Sequence, residues 1–181
     1  MKLMIASDIH GSAKWCEMML KAWQQETPER LVLLGDLLYH GPRNDLPEGY
    51  APKTVISMLN SVAPSLLCVR GNCEAEVDQM VLSFPVMADY CALFVNGHTI
   101  YATHGHIWNN ENPPPLQSGD ILLCGHTHIP CCYRNESFIY ANPGSVSIPK
   151  NNTPHSYILL EDNQMTWKDL ESGDFRVEKI W

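Results

Sequence analysis

Residues of one chemical type recur in this chain where apolar runs end. "KLMIASDIHG" ends in Asp8 and His10, "RLVLLGDLL" carries Asp36, and "LLCVRGNCE" ends in Asn72 and Cys73. "TIYATHGH" supplies His104 and His106, and "ILLCGHTH" supplies His126 and His128. Carboxylate, amide oxygen and imidazole are hard or borderline ligands, a mixture that suits Mn2+, Fe or Zn2+. Asp8 and His10 are two apart, so both side chains share a face if the backbone stays extended, and His126 and His128 repeat that spacing. So many O and N donors suggest a pair of divalent ions. A carboxylate such as Asp36 can bridge such a pair through its two oxygens. Two ions roughly 3.5–4 Å apart clamp phosphate oxygens and generate hydroxide near neutral pH. One Asp-x-His alone is weak evidence, and an Asp after Gly often only caps a turn. Five successive runs ending this way are hard to ascribe to turn chemistry.

Cys73 raises a different chemistry, a thiolate nucleophile. That chemistry needs an Arg six positions on, so that the loop cradles phosphate around the sulfur. The residue there is Gln79 after Cys73, Glu74 after Cys68 and Gly97 after Cys91. The glycine-rich phosphate loops G-x-x-x-x-G-K-[ST] and G-x-G-x-x-G are also missing.

The elements that must position these residues are legible in outline. Short aliphatic runs closed by breakers read as strands buried on both faces. Ser12 can cap a helix over 12–25, with Trp15, Met18, Met19, Ala22 and Trp23 on its apolar face. Pro52 suits the first turn of a second helix carrying Val55, Ile56, Met58, Leu59 and Val62. A short third helix fits 75–84. The first half therefore reads β-α-β-α-β, which favours a parallel sheet. Residues 156–181 alternate and turn at 161–163 and 172–174, as antiparallel strands do. The expectation is an α/β protein with a mixed or double sheet. Its candidate ligands lie at the carboxyl ends of the strands, where open α/β sheets gather their function. The Pro-dense "NENPPPLQSGD" reads as a surface loop.

Composition sets the frame. The 181 residues, 45% apolar and 18% charged, suit one domain spanning 1–181. No apolar run approaches the roughly 18 residues of a membrane span, and "MKLMIASDIHG" does not read as an export signal, so a cytoplasmic protein is expected. The net charge of -8 argues against a nucleic-acid-binding surface. It is compatible with a phosphate ligand when bound cations supply positive charge locally. The seven cysteines are odd in number and lack a C-x-x-C, so reduced, buried filler is expected. Adjacent Cys131 and Cys132 are poorly placed for an ordinary disulfide.

In order, "SDIHG", "LGDLL", "RGNCE", "THGH" and "CGHTH" resemble the motifs of the calcineurin-like metallophosphoesterase superfamily. "YHGPRN" and "NPGSVSIPK" are similar to those of its branch of small bacterial and archaeal phosphodiesterases, and the likeness runs from Ser7 to Lys150. The resemblance implies a four-layer αββα sandwich, with two mixed sheets face to face and helices outside. It implies a dinuclear site and two divalent cofactor ions, Mn2+ foremost, with Fe or Zn2+ as the other candidates. Asp8, His10, Asp36 and His128 would hold one ion, and Asp36, Asn72, His104 and His126 the other, with Asp36 bridging.

The activity implied is metal-dependent hydrolysis of small phosphodiesters. A metal-bridging hydroxide would attack phosphorus in line, with Asn72, Cys73 and His104 at the catalytic centre. In the superfamily the third motif usually reads Gly-Asn-His-Asp/Glu, and that His protonates the leaving group. Here Cys73 takes its place. A thiol of pKa about 8.5 shuttles protons less well near neutrality than an imidazole of about 6.5. Phenolate leaving groups should suffer least and alkoxides most.

Arg43 is the expected phosphate anchor, because a guanidinium forks onto phosphate oxygens. His106 is expected to face the substrate, His40 to lie near the site, and His98 and His155 to be solvated. A homo-oligomer, dimer or tetramer, is a family-level expectation. The alternative is a scaffold of the same fold acting through protein partners, as one retromer subunit does. The discriminating feature is loss of ligands, and here all seven ligand positions are filled.

Overall fold

The computed structural model describes residues 1–181. The first half alternates strand and helix: β1 (Lys2–Ala6), α1 (Ala13–Glu26), β2 (Arg30–Leu33), α2 (Pro52–Ser61), β3 (Leu66–Cys68) and a short α3 (Glu76–Val81). β1 pairs in parallel with β2, and β2 with β3, as the β-α-β-α-β reading requires. Ser12 caps α1 by accepting the Trp15 N–H on its hydroxyl at 3.3 Å. Pro52 opens α2 in its first turn.

The middle of the chain forms a second sheet from β4 (Tyr90–Val95), β5 (His98–Thr103), β6 (Ile121–Leu123), β7 (Cys131–Arg134) and β8 (Ile139–Asn142). The chain then returns to the first sheet with β9 (Ser156–Glu161), β10 (Gln164–Asp169) and β11 (Gly173–Lys179). β9 lies antiparallel beside β1, so the sheets run β11-β10-β9-β1-β2-β3 and β4-β5-β6-β8-β7. Both are mixed, and the antiparallel C-terminal strands are where the sequence pattern puts them.

Alternation along β1 explains why it carries no exposed face. Leu3 and Ile5 point between the sheets, against Ile100, Ile121 and Leu123. Met4 and Ala6 point the other way, against Trp15, Cys16 and Met19 of α1 and Val55 and Leu59 of α2. Trp167 of β10 fills the inter-sheet core and donates its indole N–H to the Asn142 carbonyl at 2.7 Å. The two-sheet sandwich implied by the motifs is therefore what the chain forms. α1 and α2 cover the first sheet. On the outer face of the second, Leu122, Cys124, Phe138 and Tyr140 cluster with Leu116 of the Pro-dense loop.

All seven cysteines are free thiols. Cys16, Cys68 and Cys124 are the buried filler expected, whereas Cys73, Cys91, Cys131 and Cys132 are half-buried. No helix is long and apolar enough to cross a membrane.

Candidate metal centre

The tips of β1, β2 and β6 do not stay extended. Asp8 (φ 61°), His10 (48°), Asp36 (55°), His126 (65°) and His128 (62°) all adopt left-handed backbone. Each such non-glycine residue costs about 1–2 kcal/mol. The shared-face argument for Asp-x-His is thereby corrected. The pairs converge because the chain turns sharply at both members, and Ile9 between them packs into the helix-side core.

Long-range contacts hold this strained backbone. The N–H groups of Asp8 and His10 donate to the carbonyls of Gly35 (3.1 Å) and Asp36 (2.9 Å). The hydroxyls of Ser145 and Ser147 both donate to the Asp8 carbonyl, at 2.9 and 3.0 Å. The Asn142 amide donates to the Gly125 carbonyl at 2.7 Å. "NPGSVS" therefore fastens the ligand loops. Gly125 is required by close approach, since a Cβ there would meet Ser7 Oγ at 2.0 Å and Asp8 Oδ2 at 2.8 Å.

The imidazoles are oriented by backbone carbonyls. Nδ1–H of His10 donates to Tyr39 O (2.7 Å), that of His104 to Leu34 O (2.7 Å) and that of His128 to Ile148 O (2.6 Å). A carbonyl only accepts, so in the neutral imidazole, the form that binds a metal, each Nε2 presents a lone pair to the site. Nε2 of His10 and of His128 lie 3.2 Å apart. Both face Asp8 Oδ1, at 3.5 and 3.2 Å. That oxygen is buried and receives no hydrogen bond. With the imidazoles neutral, three buried electron-pair donors converge there, an arrangement that a cation satisfies.

A second group adjoins the first. His104 Nε2 lies 3.1 Å from Asn72 Oδ1, 3.2 Å from His126 Nδ1 and 3.5 Å from Asp36 Oδ2. Asp36 Oδ2 is also 3.7 Å from His10 Nε2, so it stands between the groups. Its Oδ1 accepts the Cys73 N–H at 2.9 Å. One oxygen of Asp36, not both, therefore faces the two groups.

The electrostatics agree with a cation site. Burial would raise the Asp8 carboxyl, but His10 and His128 hold it well below the ordinary range. Burial would lower His104, but the carboxylates of Asp36 and Asp8 push it up to about 9. In metal-free protein a proton on His104 thus takes the place of the cation. A His raised from its unfolded value of about 6.5 stabilises fully below that pH and loses the effect as pH rises through its folded value. Melting of metal-free protein should therefore fall between pH 6.5 and about 9. The contribution is on the order of a few kcal/mol. Calorimetry with saturating Mn2+ should show no fall in that window. A flat metal-free profile would contradict the assignment.

Sequence reasoning missed Glu74 as a site residue. Its carboxylate accepts the N–H groups of Asp36 (2.8 Å), Leu37 (2.7 Å) and Gly71, and so ties the β2 tip to the β3 tip. Burial and the neighbouring Asp36 raise it to about 7. Its only signal was its place in the third motif. Asn72 donates its amide to Cys73 Sγ at 3.2 Å, which turns Oδ1 toward His104. Burial, followed by the carboxylates of Asp36, Glu74 and Asp8, pushes the Cys73 thiol far above its ordinary pKa. It is a neutral thiol, unsuited to nucleophilic attack.

A cleft of about 210 Å3 opens over His10, Asp36, Asn72, Cys73, His126 and His128. Arg43, the candidate phosphate anchor, lines it, and so does Lys150, which was not anticipated. His106 is not among its walls. It sits edge-on to His104 at 5.4 Å, with Nδ1 buried and unpartnered. His40 packs between Tyr39 and Tyr50. His98 and His155 are stacked on Trp181 and Trp15, at 5.1 and 3.4 Å, and not freely solvated.

Residues 1–165 match the calcineurin-like phosphoesterase superfamily domain. The chain belongs to that superfamily. Within these calcineurin-like phosphoesterases it is 48% identical, over 166 residues, to phosphodiesterase YfcE of Escherichia coli K12, covering 92% of this chain and 90% of that one. The solved E. coli YfcE, described as a phosphoesterase, superposes with a TM-score of 0.97 at 45% identity over 99% of this chain and 100% of that one. Vps29 of Entamoeba histolytica, solved with Zn2+, shares the fold alone: TM-score 0.65 and 19% identity, covering 99% and 98% of the two chains. Membership of the calcineurin-like phosphoesterases and the clustered donors together point to divalent-metal binding and phosphoester hydrolysis.

Proposed function

We propose that the chain is a dinuclear metal-dependent phosphodiesterase for small phosphoric diesters, built as a single domain. The observation that carries this reading is the convergence of His10 Nε2 and His128 Nε2 on the orphaned Asp8 Oδ1. Asp8, His10, Asp36 and His128 would hold one ion, and Asp36, Asn72, His104 and His126 the other. Mn2+ is favoured by a donor set of carboxylate, amide and imidazole without thiolate, and Fe or Zn2+ fits the same set. When bound, the ions supply an activated water as nucleophile and neutralise charge on the phosphate oxygens.

The chain's own residues do the rest. Arg43 and Lys150 draw the phosphate into the cleft. Asn72 turns its amide oxygen inward, held from behind by Cys73. Glu74 and the serines at 145 and 147 keep the ligand loops in their strained form. A scaffold role would leave the complete donor set without use.

The test is to strip the protein with a chelator and restore Mn2+. Hydrolysis of bis(4-nitrophenyl) phosphate should vanish and return, and should exceed that of 4-nitrophenyl phosphate. Activity indifferent to chelation, or a faster monoester, would overturn the reading.

A further inference from the structure

Beyond His126 lies a larger cavity of about 400 Å3, and His126 lines both it and the metal cleft. Building on the phosphodiesterase reading of that cleft, we infer that this cavity takes one organic arm of the diester, and that the arm is a neutral, hydrogen-bonding ring system of the nucleoside class.

The walls have the chemistry for such a group. The Pro-dense loop and the residues just before it contribute Asn109, Asn110 and Glu111, the loop after β6 contributes Thr127, and β7 and β8 contribute Tyr133 and Tyr140. Tyr133 and Tyr140 are register partners on β7 and β8, nearly parallel (19°) with ring centroids 5.9 Å apart. Tyr133 is 60% exposed, so one ring face is open for stacking. Asn109 is committed to its own loop: its Oδ1 accepts the N–H groups of Glu111 and Asn112, and its amide donates to the Gly105 carbonyl. Asn110 is exposed, so its amide is free to read a ring edge. The volume falls within the range of small-molecule pockets, roughly 300–1,000 Å3.

Charge selects the class. No Lys or Arg lines this cavity, and its only charged wall residue is Glu111. The cations Arg43 and Lys150 line the metal cleft instead. A second phosphate in the cavity would meet a carboxylate and no counter-charge, so polyphosphate-linked dinucleotides and nucleic-acid strands are disfavoured. Glu111 can accept a sugar hydroxyl or a ring N–H.

The experiment measures inhibition constants against bis(4-nitrophenyl) phosphate hydrolysis by the Mn2+-loaded protein. Thymidine 5′-(methyl phosphate) should bind about tenfold more tightly than dimethyl phosphate, the order of one stacked base. Tyr133→Ala should collapse that ratio toward one, Tyr133→Phe should retain it, and a 3′-phosphate on the nucleoside should weaken binding. A wild-type ratio of one, or a ratio that Tyr133→Ala leaves intact, would overturn the inference. Absence of any diester hydrolysis would instead remove the phosphodiesterase reading, and the inference with it.

Discussion

Asp36→Asn should lower diester turnover by about a thousandfold or more, the scale of several kcal/mol of lost metal stabilisation. The same variant should lose paired metal binding. Asp36 Oδ2 is the atom that stands between the two donor groups, 3.5 Å from His104 Nε2 and 3.7 Å from His10 Nε2. An amide there is uncharged. Its NH2 would point at imidazole lone pairs, while its oxygen could still accept the Cys73 N–H that Oδ1 accepts now. The fold should therefore persist, with a circular-dichroism spectrum like that of the wild type. Kinetics and metal content, measured on the same preparation, check the prediction. Full metal content with turnover within tenfold of wild type would show that Asp36 is not the bridge.

Cys73→His should speed hydrolysis of diesters with alkyl leaving groups by about 10²-fold, the lower end of what a positioned general acid contributes. It should change 4-nitrophenyl diesters only a few-fold. The thiol faces the cleft beside Asn72 and is held neutral far above physiological pH, so it is a poor proton donor to an alkoxide. Space for an imidazole exists because Gly41 carries no side chain; a Cβ there would stand 3.4 Å from Cys73 Sγ. The measurement is the dependence of rate on leaving-group pKa, which should flatten in the variant. Equal acceleration of alkyl and aryl esters would sink the explanation.

Much of this site is legible in the amino-acid sequence. The motifs mark every strand tip that bears a candidate ligand, because a buried strand closed by a polar ligand-type residue has few structural reasons to exist. The first-half topology followed from alternating strand and helix signals, and the C-terminal strands from their period and turns. What remained hidden depends on contacts distant in sequence. The carbonyls that orient the histidines come from Leu34, Tyr39 and Ile148, and no local periodicity reports them. The left-handed backbone at Asp8 and His128 is visible only once the serines at 145 and 147 and the Lys150 N–H contact to the His128 carbonyl are in place. Glu74 and Lys150 act through contacts distant in sequence, Glu74 on the N–H groups of Asp36 and Leu37 and Lys150 on the cleft, so no local spacing marks them. The cover of the second sheet, a Pro-dense loop around Leu116, has no repeating pattern to read.

The two donor groups joined by Asp36 are proposed to hold a pair of divalent ions. Titration of metal-free protein with Mn2+, followed by calorimetry and by elemental analysis of the saturated product, tests it directly. The expected result is two ions per chain, falling to one or none in Asp36→Asn. Saturation of the wild-type chain at one ion, or no measurable binding, would contradict it.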